Sequence, residues 1–94
     1  MPLKKITAVI SGRVQGVGFR YYIMQKAEMI GVKGWVMNTS AGDVKTVAEG
    51  EESQINDFLL YIGKGPSGAR IENIEYKIEN TGVSEFSGFD IRGW

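Results

Sequence analysis

The chain has 94 residues, enough for one domain that buries roughly 60–70% of its unfolded surface without disulfide or metal support. Eleven basic residues balance eleven acidic ones, so no global field favours nucleic acid or an anionic membrane. Cysteine and histidine are both absent, which excludes disulfides, thiolate chemistry, Ser-His and Cys-His nucleophile pairs, phosphohistidine intermediates and the usual zinc sites. In chain order, Ile6, Ala8 and Ile10 alternate with Thr7, Val9 and Ser11, the pattern of a well-buried strand. The stretch Gly12-Arg13-Val14-Gln15-Gly16-Val17-Gly18-Phe19-Arg20 follows as a loop. Phe19, Ile23, Ala27 and Ile30 then form one stripe of a helix that Gly31 stops. Gly34 to Asn38 reads as a second strand, Thr39 to Asp43 as a turn, and Val44 to Glu49 as the returning strand of a hairpin. Ile55, Phe58, Leu59 and Ile62 mark a second helix that ends around Gly63–Pro66. Ile74, Tyr76 and Ile78 alternate with Glu75, Lys77 and Glu79 in a strand with one wet face, and Phe89 and Ile91 close the chain with a short fifth strand.

The order is β-α-β-β-α-β plus a terminal strand, with no linker or repeat, so residues 1–94 are expected to form a single domain. Right-handed crossovers put both helices on one face of a single sheet. This is an α+β fold, the ferredoxin-like split arrangement carrying an extra C-terminal strand. Fold of this kind settles nothing about function.

The glycine loop has chemistry of its own. Glycine lets successive N–H groups point into one concavity, and the helix start behind it adds free donors and the positive end of the dipole. Arg20 supplies a planar fork for two oxygens of a phosphate or carboxylate. Taken alone, such a loop serves equally well as a plain connector, and Asn38 alone reads better as a strand end or turn start than as a reactive group. An arginine early in a helix opposes the dipole by a few tenths of a kcal/mol or more, which speaks against a purely structural Arg20. Competing nucleotide motifs fail. A dinucleotide fingerprint starting at Gly16 would need glycine at Tyr21, and no G-K-[ST] closes a P-loop.

Gly12–Arg20 followed by Gly34-Trp35-Val36-Met37-Asn38 and the Gly42 turn closely resembles the acylphosphatase family, whose G-R-V-Q-G-V-G-F-R loop precedes a G-W-V-x-N strand. The resemblance runs over nearly the whole chain, including Ala48-Glu49-Gly50, Gly65-Pro66 and the aromatic last strand. It implies the same ferredoxin-like fold and hydrolysis of acyl phosphates. It places the catalytic arginine on Arg20, the catalytic asparagine on Asn38, and the phosphate-binding backbone loop on Gln15, Gly16, Val17, Gly18 and Phe19. Two departures stand out: Met37, where many members carry a polar residue, and Ala41, where aspartate is frequent. Alternation puts Met37 on the face opposite Asn38, and Ala41 is expected to loosen the hairpin turn at most.

The expectation is therefore a metal-free, cofactor-free acylphosphatase acting on a small acyl phosphate, with inorganic phosphate as product and inhibitor. It is expected to be a monomer with no nucleic-acid or membrane partner. No apolar run approaches the ~20 residues of a membrane span and the Met1–Lys5 start lacks a signal core, so a cytoplasmic location is expected. Two alternatives come from other classes: an anion or acyl-phosphate sensor that has lost turnover, and an RNA-binding sheet using Tyr76 and Phe89 for base stacking. Zero net charge and the absence of an RNP signature weigh against the second.

Overall fold

The structure is a computed structural model that describes residues 3–93; Met1, Pro2 and Trp94, which the single-domain reading includes, lie outside the described residues. Strand β1 (Leu3–Arg13) is longer than its apolar alternation predicts because it is paired on both sides. It runs antiparallel to β3 (Val44–Gly50) on one flank and to β4 (Arg70–Thr81) on the other. Strand β2 (Lys33–Asn38) joins β3 in the expected hairpin, and β5 (Phe89–Arg92) adds in parallel to the free edge of β2. The sheet order is β4-β1-β3-β2-β5.

Both helices pack on one face. Phe19, Ile23 and Ala27 of α1 (Phe19–Ile30) and Ile55, Phe58 and Ile62 of α2 (Glu52–Lys64) bury against Ile6, Ala8, Ile10, Val36, Val44 and Ala48 of the sheet. Helix α1 ends where Gly31 turns left-handed at φ 97° and its N–H donates to the Ala27 carbonyl. Helix α2 starts with a capping box between Glu51 and Gln54, with Glu52 in its first turn near the positive dipole end. Among the described residues, no helix is long and apolar enough to cross a membrane.

Strand β4 departs from the expected pattern. Ile71 and Ile74 pack under α2, but Tyr76 and Ile78 are 53% and 39% exposed. The cause is length: 12 residues of strand span about 36 Å, whereas the 13 residues of α2 span about 18 Å. The far half of this edge strand therefore has two wet faces. Tyr76 sits opposite Ala8 on the helix side of the sheet, and Phe89 is buried against Phe58 with ring centroids 5.9 Å apart. Neither ring lies on the open face, so the stacking platform that an RNA-binding reading needs is not formed there.

That open face is partly covered by the chain itself. Strands β4 and β5 lie at opposite edges, so the connection through residues 82–88 must cross three strands. It does so over Lys5, Glu49 and Gly34. Glu49 is only 3% exposed, and its carboxylate accepts from the Glu85 N–H at 3.0 and 3.1 Å and from the Ser84 hydroxyl at 3.1 Å. Lys5 pairs with Glu85 at 3.3 Å, and the Gly34 N–H donates to the Gly88 carbonyl at 2.9 Å.

Candidate active site

Strand β1 ends at Arg13 and α1 begins at Phe19, and the five residues between them form a tight loop. The buried side chains of Val14 and Phe19 anchor its two ends in the core. Gly16 and Gly18 both sit at φ 76°, a left-handed conformation that a side chain would strain. This curl leaves its donors free. Among the described residues, the N–H groups of residues 15 to 21 donate to no backbone carbonyl, and the first helical bond is Tyr22 N–H to the Gly18 carbonyl. Gly18 is the N-cap of α1, no side chain caps the helix, and its first turn holds no acidic residue. A helix start normally satisfies these donors with a capping oxygen; here they stay open.

Arg20 is the second residue of α1, and its Nη1 is buried without a hydrogen-bond partner. Asn38 ends β2 on the same face as Val36, the helix-covered face, and its Oδ1 is likewise buried and unpartnered. Each such orphan costs on the order of 1–3 kcal/mol, so native structures keep few of them. These two line the same cavity, of about 180 Å³, with Gly16, Gly18 and Phe19 forming its floor beside them. The arrangement offers a cluster of donors and one free acceptor facing a small, partly open cavity. A larger groove of about 550 Å³ between α1 and α2, lined by Met29, Leu60, Tyr61 and Lys64 among others, contains none of these groups. Among the described residues, no three His, Cys, Asp or Glu side chains converge as metal ligands would.

Of the seven residues singled out from the sequence, Gly16, Gly18, Phe19, Arg20 and Asn38 line this cavity together. Gln15 and Val17 contribute backbone to the same loop, but their side chains go elsewhere. The Gln15 amide turns to the β2–β3 hairpin, where Nε2 donates to the Thr39 and Asp43 carbonyls at 2.9 Å each. Val17 is half-buried against the core and lies beside Gly68. Met37 points to the opposite sheet face from Asn38, paired with Lys45.

Three wall residues were not among those seven: Val14, which lies inside the loop motif, Tyr21, 58% exposed, and Ile91. Tyr21 follows Arg20 directly, so adjacency was an available signal. Ile91 arrives only through the parallel pairing of β5 with Val36 of β2, which local sequence does not encode.

Comparison with known proteins decides the family. The acylphosphatase family model matches residues 6–91 of the 94. The chain belongs to the acylphosphatase family. It is 41% identical over 86 residues to an acylphosphatase from Acaryochloris marina, covering 92% of this chain and 90% of that one. The crystal structure of the acylphosphatase from Bacillus subtilis superimposes with a TM-score of 0.89 at 30% identity, covering 94% and 97% of the two chains. An acylphosphatase from Coxiella burnetii gives 0.86 at 37% identity over 97% and 94%. The acylphosphatase fold is therefore the ferredoxin-like one expected from element order, and the chain is an enzyme of the hydrolase class.

Proposed function

We propose that this acylphosphatase hydrolyses the carboxyl–phosphate bond of small acyl phosphates, with the free N–H groups of residues 15 to 19 and the Arg20 guanidinium holding the phosphoryl group and Asn38 orienting water. The observation that carries this reading is the pair of buried, unpartnered polar atoms, Arg20 Nη1 and Asn38 Oδ1, on one cavity beside an uncapped helix start. A phosphoryl group supplies the acceptors that the donors lack, and a water supplies the proton that Oδ1 lacks.

The chemistry asks for little more. The leaving group is a carboxylate, weakly basic, so no strong general acid is needed to expel it. The attacking water forms a new P–O bond opposite the leaving oxygen while the P–O bond to the carboxylate breaks with its electron pair. Catalysis of this type is mostly positioning and charge stabilisation. Asn38 can accept a hydrogen bond from the water but its amide is not basic, so the proton passes to a phosphoryl oxygen. The products are carboxylate and inorganic phosphate, with no step that calls for a metal or a covalent enzyme intermediate. A monomer working in the cytoplasm is part of the same proposal.

Benzoyl phosphate hydrolysis by the purified protein tests it, beside Arg20→Lys and Asn38→Ala variants checked for folding. Turnover in the parent should fall about 10²- to 10³-fold in each, the usual cost of removing one transition-state donor. Lysine keeps the charge but loses the planar fork, so its failure isolates geometry. A folded parent that binds phosphate without turnover would favour an anion-sensing domain instead.

A further inference from the structure

The two motifs that meet at the cavity belong to separate elements. Arg20 is carried by the loop and α1, and Asn38 by the end of β2. Among the described residues, the only hydrogen bonds joining the loop at residues 14–18 to the β2–β3 hairpin are the two made by the Gln15 side chain. Their acceptors are particular. Thr39 directly follows Asn38, and its N–H donates to the Asp43 carbonyl at 2.9 Å, while its own carbonyl accepts from the Gly42 N–H at 3.2 Å. The two carbonyls are thus the closing pair of the turn, and one carboxamide grips both. A primary amide suits this because its two N–H bonds diverge in one plane and both are used. Glutamate has no donor to offer, and methionine keeps the length with none.

From this geometry we infer that Gln15 is a positioning residue: its amide clamps the hairpin to the phosphate loop and sets where Asn38 stands relative to Arg20. The inference rests on the proposed roles of Arg20 and Asn38. Water orientation tolerates little displacement, since about 1 Å of misplacement can cost on the order of 10²-fold in rate. Phosphate binding is expected to be less sensitive. Its donors are the loop N–H groups and Arg20, all on the near side of the clamp, and a side-chain substitution leaves the Gln15 N–H in place.

The test is steady-state hydrolysis of benzoyl phosphate by Gln15→Met and Gln15→Glu, with inorganic phosphate as inhibitor and circular dichroism to confirm folding. In both variants kcat should fall about 10- to 100-fold, while the inhibition constant for phosphate stays within about threefold of the parent. The decisive measurement is a double-mutant cycle. If Gln15 acts through Asn38, adding Gln15→Met to Asn38→Ala should lower the residual kcat by less than about twofold, because the residue being positioned is gone. Parental kcat in a folded Gln15→Met protein would overturn the inference. So would an undiminished Gln15→Met effect in the Asn38→Ala background, or a phosphate constant that worsens in step with kcat. Two variants that both fail to fold would assign Gln15 to stability and overturn it as well. An inactive parent is a different result, since it removes the proposed function beneath the inference, whereas an active parent with unaffected variants removes the clamp alone.

Discussion

Replacing Glu49 with alanine removes the buried anchor of the segment through residues 82–88 that crosses the open sheet face. Its carboxylate is buried and receives the Glu85 N–H and the Ser84 hydroxyl. A hydrogen bond to a charged group contributes about 1.5–3 kcal/mol, and the Glu85 N–H is left without a partner when the acceptor goes. Ser84 is exposed and can turn to water, so its bond adds little. The Lys5–Glu85 pair is left out too, because Glu85 is 57% exposed and such pairs are worth little. Loss of the one buried methylene, Cγ, adds about 0.8 kcal/mol. The total is about 3 kcal/mol, which for a domain of this size lowers Tm by about 12–24 °C. Glu49→Gln keeps one carbonyl acceptor and should lose about half as much. Thermal and urea unfolding, followed by far-UV circular dichroism, measure both. A Glu49→Ala protein within 1 kcal/mol of the parent would show that the crossing segment is held by something other than this carboxylate.

Two further outcomes follow from titration. None of the proposed catalytic groups ionises near neutrality, so kcat for benzoyl phosphate should change little between about pH 5 and 8; a sigmoid centred near pH 6.5, the ordinary histidine value, would contradict the mechanism. Tyr22 gives an alkaline signature: burial, and secondarily the nearby Tyr61, push its phenol above the ordinary value of 10.0, and its hydroxyl donates to the Tyr61 carbonyl. A raised folded-state pKa contributes stability that is complete below the unfolded value of about 10 and is lost as pH rises through the folded one. Tyr22→Phe should therefore be less stable than the parent at pH 7, with the gap closing above pH 10 in thermal melts; a gap that widens there would refute the assignment.

The fold was legible because its two periodicities were clean and its stops were glycines. Ile6, Ala8 and Ile10, then Phe19, Ile23 and Ala27, then Ile55, Phe58 and Ile62 all bury as their spacing requires, with Ile30 and Leu59 packed at the margin. What was not legible depends on pairing between distant segments. Tyr76 and Ile78 alternate like residues on a covered face, but whether a face is covered depends on where α2 ends, and the strand's own sequence carries no trace of that. Glu49 sits in an ordinary strand position and becomes an anchor only because β4 and β5 fall on opposite edges. Ile91 reaches the cavity by the same route. The Ala41 departure, expected to loosen the turn, touches none of its closing bonds: those run between Thr39, Gly42 and Asp43 and are gripped by Gln15. Gln15 is the instructive case, since the motif contains it for its backbone while its side chain does a separate task 24 and 28 residues away.

The cavity is also a place where the empty protein is less stable than it need be. A cation in the first turn of a helix opposes the dipole by about 0.3–1 kcal/mol, and no acidic residue in that turn offsets it. The unpartnered Arg20 Nη1 adds on the order of 1 kcal/mol more. Packing of Val14 and Phe19 on either side holds the loop in place against both terms. If the site is built for an anion, removing the cation should help the free protein and harm the bound one. Arg20→Met keeps the apolar stem length and should raise Tm without ligand by about 5–16 °C, the equivalent of about 1.3–2 kcal/mol here. Inorganic phosphate should then reverse the order. It stabilises the parent by RT ln(1 + [L]/Kd), about 2.7 kcal/mol at a hundredfold excess over Kd, and leaves Arg20→Met nearly unmoved. Differential scanning fluorimetry across a phosphate series reads both effects in one experiment. An Arg20→Met protein that melts below the parent without ligand would mean that Arg20 carries structural contacts outweighing the cost of its buried, unpartnered group, and that the site is not strained in the absence of an anion.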